Sequence, residues 1–284
     1  MNVLNIGRYR VLYLLGGGGS AEVYAAEDTL LHRKVALKLM RFSDADERQS
    51  RHFEREARSA SLLNHPNAVT VFDVGRDGDV QYIATELVDG ETLRQRLNRG
   101  PMTIMEAIEV ASAVARALAA AHEAWLVHRD IKPENIAIRK DHVVKVLDFG
   151  VSALSGDGGD FDATDPIRRP GAVVGTLHYL SPEQVRGELI IDDRSDIYSL
   201  GVVTYEMLAG RVPFSGTNVL DVLAQIVERD PAPLPAFVPE PLRDVVMSSL
   251  RKNMYERPQT ASDIVAMLDQ LRIDLLIRER SRIA

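Results

Sequence analysis

The feature that most narrows what this chain can fold into is a pair of polar clusters separated by a short apolar run. His128-Arg129-Asp130-Ile131-Lys132-Pro133-Glu134-Asn135 places a carboxylate, an ammonium and an amide within one short loop. Asp148-Phe149-Gly150 then adds a second carboxylate directly after Val143-Val144-Lys145-Val146-Leu147. Oxygen donors of this kind hold hard cations such as Mg2+, and a positioned ammonium stabilises charge on a transferring phosphoryl group. Any one of these residues alone would read as a surface polar group. The whole set at this spacing requires a fold that brings the loop and the second carboxylate into one cleft.

The rest of the chain offers such a cleft. From Tyr9 to about Val88 the pattern is short β-type runs: Arg10 to Leu14, Glu22 to Ala26, Val35 to Leu39, Val69 to Val74 and Gln81 to Leu87. One helix interrupts them, from about Asp46 to Leu63. From Thr103 onward the chain reads as mostly helical. Thr103-Ile104-Met105-Glu106 fits a capping box, Ser181-Pro182-Glu183 offers an N-cap serine with proline at the first helical position, and Thr260 with Asp263 starts the last helix in the same way. A strand-rich front and a helix-rich back predict an α+β chain of two lobes, residues 1–88 and 89–284, joined near Leu87 to Gly90.

Composition excludes several alternatives. Hydrophobic residues at 45% and charged residues at 26% describe a globular chain rather than a disordered one. A net charge of −7 argues against nonspecific nucleic-acid binding. There is no cysteine, which removes disulfides, thiolate metal sites and cysteine nucleophiles and fits a reducing cytosol. Met1 to Ile6 lacks the basic and apolar regions of a signal peptide. The most apolar long stretch, Ile104 to Ala121, is broken by Glu106, Glu109 and Arg116 and reads as a core helix, not a membrane span.

Leu15-Gly16-Gly17-Gly18-Gly19-Ser20-Ala21-Glu22-Val23-Tyr24 falls between two strands, as a hairpin tip whose bare backbone can approach a polyphosphate. Alone it would equally be a flexible turn. Val35-Ala36-Leu37-Lys38 supplies a lysine late in the next strand, in reach of phosphates bound under that tip. Glu56, in the helix, is the candidate partner for Lys38, because an unpaired ammonium in a half-buried cleft carries a desolvation cost. Within the reactive core, Asp130 would accept or orient the proton of an attacking hydroxyl, Lys132 would neutralise phosphoryl charge, and Asn135 and Asp148 would ligate the metal.

These motifs, in this order, resemble the Hanks-type (eukaryotic-like) protein kinases, specifically their bacterial Ser/Thr branch. The resemblance runs from Tyr9 to about Leu271 and includes Ser181-Pro182-Glu183, Asp196-Ile197-Tyr198-Ser199-Leu200-Gly201 and Arg257-Pro258. It implies the bilobal kinase fold, with a small β-rich N-lobe carrying one main helix and a larger, mostly helical C-lobe. It implies ATP and Mg2+, or Mn2+ in its place, as cofactors and Ser/Thr hydroxyls of proteins as acceptors. By resemblance, Leu15, Gly16, Gly18, Val23, Ala36, Lys38, Glu56 and Ala137 meet the nucleotide, Glu86 and Val88 present backbone groups to adenine, and Thr85 is the gatekeeper. Glu183 would pair with Arg257, and Asp196 would anchor the catalytic-loop backbone. Lys132 and Gly175-Thr176 are similar to Ser/Thr rather than tyrosine kinases. Homodimerisation for autophosphorylation is a further habit of the family. So is a cytoplasmic location, as a soluble kinase or as part of a longer membrane-bound one.

Three departures stand out. Ala21 replaces the third glycine of the loop, and Ala137 replaces a large apolar residue under adenine, with fewer dispersion contacts. Ahead of Gly175-Thr176 the chain has Ile167 to Val174 where relatives carry phosphorylatable threonines; Thr164 is the nearby one, with Ser152 and Ser155 further upstream. Arg129 is therefore expected to meet phospho-Thr164 or an aspartate of the 157–165 loop. The seven histidines show no metal-ligand spacing, and His128 reads as a packing residue beside Phe149. A catalytically silent, kinase-like scaffold is the rival reading, with Ala137 as its best argument. A small-molecule phosphotransferase is a third, opposed by the peptide-seating look of Gly175-Thr176 and Ser181-Pro182-Glu183.

Overall fold

A computed structural model of the chain describes residues 4–18, 21–41, 57–149 and 177–283. Strands β1 (Asn5–Ile6), β2 (Tyr9–Gly18), β3 (Ala21–Asp28), β4 (Arg33–Arg41), β5 (Val71–Asp77) and β6 (Val80–Glu86) form one antiparallel sheet, ordered β1-β2-β3-β4-β6-β5. Alternation along β4 decides which side of this sheet does what. Val35, Leu37 and Leu39 are buried in a core with Tyr9, Ala26, Tyr82 and Ala84, so Ala36 and Lys38 point the other way. Residues directly opposite share a face, which puts Val23, Ala36, Lys38, Ile83 and Thr85 on one surface. Ile83 there packs with Met40 and with Ala57 from the helical residues 57–61.

The remaining described chain is mostly helical: α1 (Leu93–Leu97), α2 (Ile104–Glu123), α3 (Pro182–Arg186), α4 (Asp193–Ala209), α5 (Val219–Glu228), α6 (Glu240–Ser249) and α7 (Ala261–Ile283). Together the two halves make the bilobal α+β fold that the sequence implied. The expected starts of α2 and α3 are present as reciprocal capping boxes on Thr103 and Ser181, with Pro182 at the head of α3. Thr260 and Asp263 exchange hydrogen bonds of 2.9 and 3.1 Å at the start of α7. Helices α2 and α4 are buried along most of their length in the large core. No helix among the described residues is long and apolar enough to cross a membrane.

Some expectations shift. The run beginning at Val69 does not enter the sheet until Val71, because the Val69 N–H is spent on the Val146 carbonyl at 2.9 Å. Helix α4 starts at Asp193 behind an Asp192 cap, ahead of the Asp196 motif that marked it. A second sheet, β7 (Gly90–Thr92), β8 (Ile136–Arg139) and β9 (Val144–Val146), lies where mostly helix was expected. Gly90 lets β7 approach β8 closely, since a Cβ there would lie 2.0 Å from the Ile138 carbonyl oxygen. Most of the helix expected over Asp46 to Leu63 falls outside the described residues.

Candidate active site

The loop from His128 to Asn135 is fixed from below by one buried carboxylate. Asp196, on α4, accepts the backbone N–H groups of His128 at 2.8 Å and Arg129 at 2.7 Å, and meets His122 Nε2 at 2.9 Å. Arg129 holds a left-handed backbone, φ 64°. A non-glycine residue in that region is strained by about 1–2 kcal/mol, and its charge-assisted bond to Asp196 offsets this.

His128 does more than pack. Its ring meets Phe149 edge-on with centroids 4.8 Å apart, as expected. Its Nε2 lies 2.7 Å from the Leu147 carbonyl oxygen, and its Nδ1 lies 3.2 Å from the Asp130 N–H. Both contacts are satisfied by a neutral ring with the proton on Nε2. The fully buried imidazole thereby ties Asp130 to the strand end that carries Asp148. A second tie runs alongside, from the Leu147 N–H to the Asn135 carbonyl at 2.8 Å.

The reactive side chains stand on these supports. Lys132 Nζ lies 2.7 Å from Asp130 Oδ2, and Asn135 Nδ2 donates to the same oxygen at 2.9 Å. Asn135, in the short 3-10 turn Pro133–Asn135, thus turns its amide nitrogen to Asp130, and its amide oxygen is the atom suited to a cation. Across the cleft, Lys38 Nζ from β4 reaches Asp148 Oδ2 at 3.0 Å. Burial works to raise the Asp148 carboxyl, but the Lys38 ammonium, with Lys132 nearby, holds it below the usual aspartate range. The intended partner Glu56 is outside the described residues.

The nucleotide side follows the sheet geometry. Strands β2 and β3 make the expected hairpin, with Gly16, Gly17 and Gly18 opposite Val23, Glu22 and Ala21. A register shift between Leu14 and Gly16 leaves Leu15 at a bulge. A Cβ at Gly16 would meet nothing within 4 Å among the described residues. The Glu86 N–H is taken by the Thr70 carbonyl at 2.9 Å, and Val88 follows in the connection to β7. Ala137 is buried on β8, opposite both Thr92 and Lys145.

For a divalent cation, the residues fit: Asn135 and Asp148 offer oxygen donors on backbones bonded through Leu147. Among the described residues there is no cluster of three or more His, Asp or Glu that would hold a metal alone.

Behind the site, Glu183 and Arg257 form the expected pair, bidentate at 2.8 and 2.8 Å and almost fully buried. Sequence reasoning missed three supports. His122 gave no local signal for its bond to Asp196. Arg94 joins Glu134 and Glu206, each at 2.7 Å, and Tyr179. Lys145 was passed over inside an apolar run. Residues 150–176, with Gly175-Thr176, Thr164, Ser152, Ser155 and the acidic loop, lie outside the described residues, so the expected partner of Arg129 does too.

A β-sheet lobe holding a lysine over a carboxylate, against a loop holding aspartate, lysine and asparagine, defines a phosphotransferase cleft. The protein kinase domain model matches residues 9–268 of this chain, which belongs to that family. The chain is 40% identical over 268 residues to the serine/threonine-protein kinase PrkC of Bacillus subtilis, covering 92% of this chain and 40% of that protein. It is 43% identical over 270 residues to the serine/threonine-protein kinases PknB of Mycobacterium tuberculosis and Mycolicibacterium smegmatis, covering 92% of this chain and 42% of each. The chain thus spans about two fifths of the length of these curated relatives. Members of the family use ATP and a divalent metal ion.

Proposed function

We propose that this chain is the catalytic module of a Ser/Thr protein kinase, dividing into its two lobes after Val88. The reading rests above all on one observation: Lys38 from the strand lobe meets Asp148, while Asp130, Lys132 and Asn135 meet one another on the loop bonded to it. In the reaction a substrate Ser or Thr oxygen attacks the γ-phosphorus of ATP. The bond to the β-phosphate bridging oxygen breaks, ADP leaves, and Asp130 takes the hydroxyl proton. Lys132, released from Asp130, neutralises charge on the transferring group, and Lys38 orients the α- and β-phosphates with Glu56 as its partner. Leu15, Val23, Ala36 and Ala137 enclose the base, Gly16 and Gly18 lie over the phosphates, and Glu86 and Val88 offer it backbone groups. Asn135 and Asp148 would hold Mg2+, or Mn2+ in its place, which when bound would supply positive charge to the phosphates.

The acceptors are protein hydroxyls, including those of a second copy of the chain. Incubation with γ-labelled ATP, Mg2+ and a generic basic protein, followed by phosphoamino-acid analysis, tests this. Label on serine and threonine supports the reading. Nucleotide binding with no transfer supports a silent scaffold, and transfer only to small molecules supports the third alternative.

A further inference from the structure

The second sheet has two faces with different tasks. Ile136, Val144 and Val146 are buried in the helical core, and Ile138 packs against it. By alternation Ala137 and Lys145, directly paired across β8 and β9, lie on the opposite face. Lys145 is buried there, its side chain 9% exposed. Its Nζ lies 2.9 Å from Glu86 Oε2 and donates to the Ala68 carbonyl at 3.2 Å. Glu86 ends β6, and Arg139 approaches its other oxygen at 3.6 Å.

A buried ammonium persists only where a carboxylate and further acceptors replace its water. Lys145 therefore cannot be an incidental surface cation. It joins three segments that are also tied by backbone hydrogen bonds and by the Asn67 amide, which donates to the Val144 carbonyl at 2.9 Å: the strand leading to Asp148, the loop at Ala68, and the end of β6 where the sheet hands over to the helical lobe. Resting on the kinase reading above, we infer that Lys145 is a positioning residue for the adenine end of the nucleotide site. Through Glu86 it fixes the connection whose backbone meets the base, and it stiffens the floor where Ala137 is small. Lys145 touches neither phosphate nor metal in this role, so it acts on binding and not on the transfer step.

Initial rates across ATP concentrations should be measured for wild type, Lys145→Met, Glu86→Gln and the double variant. Methionine keeps the apolar stem and removes the donor. The expected result for Lys145→Met is a KM for ATP raised about 10-fold, the factor for losing one charge-assisted hydrogen bond, with kcat within about 2-fold of wild type. Glu86→Gln, which keeps an acceptor, should raise KM less. The double variant should be no worse than Lys145→Met, because both act through one contact. An unchanged KM, a fall confined to kcat, or additive effects would overturn the inference. If Lys145→Met does not fold, the Glu86→Gln split between KM and kcat decides by the same rule. An inactive wild type would instead overturn the kinase reading itself, so the two failures are distinguishable.

Discussion

Replacing Asp196 with asparagine isolates the anchor of the proposed catalytic loop. The carboxylate is 1% exposed and takes the backbone N–H groups of His128 and Arg129 on different oxygens, at 2.8 and 2.7 Å. Asparagine has the same shape, but its NH2 must face one of those donors. A buried donor left unsatisfied costs about 1–3 kcal/mol. The surviving bonds lose their charge assistance and roughly half their strength. The sum is about 2–4 kcal/mol, which for a chain of this size lowers Tm by about 3–7 °C. Arg129 would also lose what holds it at φ 64°. Relaxation there moves Asp130, its neighbour, and a displacement of about 1 Å costs about 100-fold in rate. Calorimetry and initial rates of phosphoryl transfer, the latter taken well below the melting range, measure the two effects separately. A variant with a lowered Tm and wild-type kcat would refute the claim that Asp196 positions the loop. An unchanged Tm would refute the account of its hydrogen bonds.

Other substitutions probe the framework. Arg257→Met leaves the Glu183 carboxylate 2% exposed with the Ser195 hydroxyl at 2.6 Å, and should cost about 3–5 kcal/mol by thermal or urea unfolding. Adding Glu183→Leu should recover only part of that, since the carbonyls of Arg251, Arg194 and Lys252 also lose their donor. Gly90→Ala forces a Cβ against the Ile138 carbonyl and should lower stability by about 1–3 kcal/mol in the same assay. Burial pushes the Lys252 ammonium down to about 8, against Asp230, which raises it. The unfolded chain keeps that proton to about 10.4, so it binds more protons in between and the site's contribution to stability rises with pH from about 8 to 10.4. Subtracting the unfolding free energies of Lys252→Met from wild type across that range should show this slope, and a flat difference would contradict it.

How much of this was legible beforehand depended on how local each signal is. Thr103, Ser181 and Pro182 announce their helices because a cap is a contact within one turn. Asp130, Lys132, Asn135 and Asp148 could be grouped because their chemistry is unusual at that spacing. The short strands β7, β8 and β9 could not, since three or four residues are too few to establish an alternation. Lys145 carries a usable signal. A lysine with two valines before it and valine and leucine after it sits in a run with no other charge, where burial with a partner is the natural reading. The partner Glu86 is 59 residues away, as His122 is 74 from Asp196. Contacts of that range are set by the fold, not by anything near them in the chain.

The most direct measurement compares wild type with Asp130→Asn in transfer of the γ-phosphoryl group of ATP to a protein acceptor, with Mg2+ present. Asparagine can keep hydrogen bonds to its neighbours but cannot take the hydroxyl proton. Label on serine and threonine is expected for wild type, with a rate lower by about 10²–10⁴ for the variant. A variant as fast as wild type, or a folded wild type that binds ATP and transfers nothing, would contradict it.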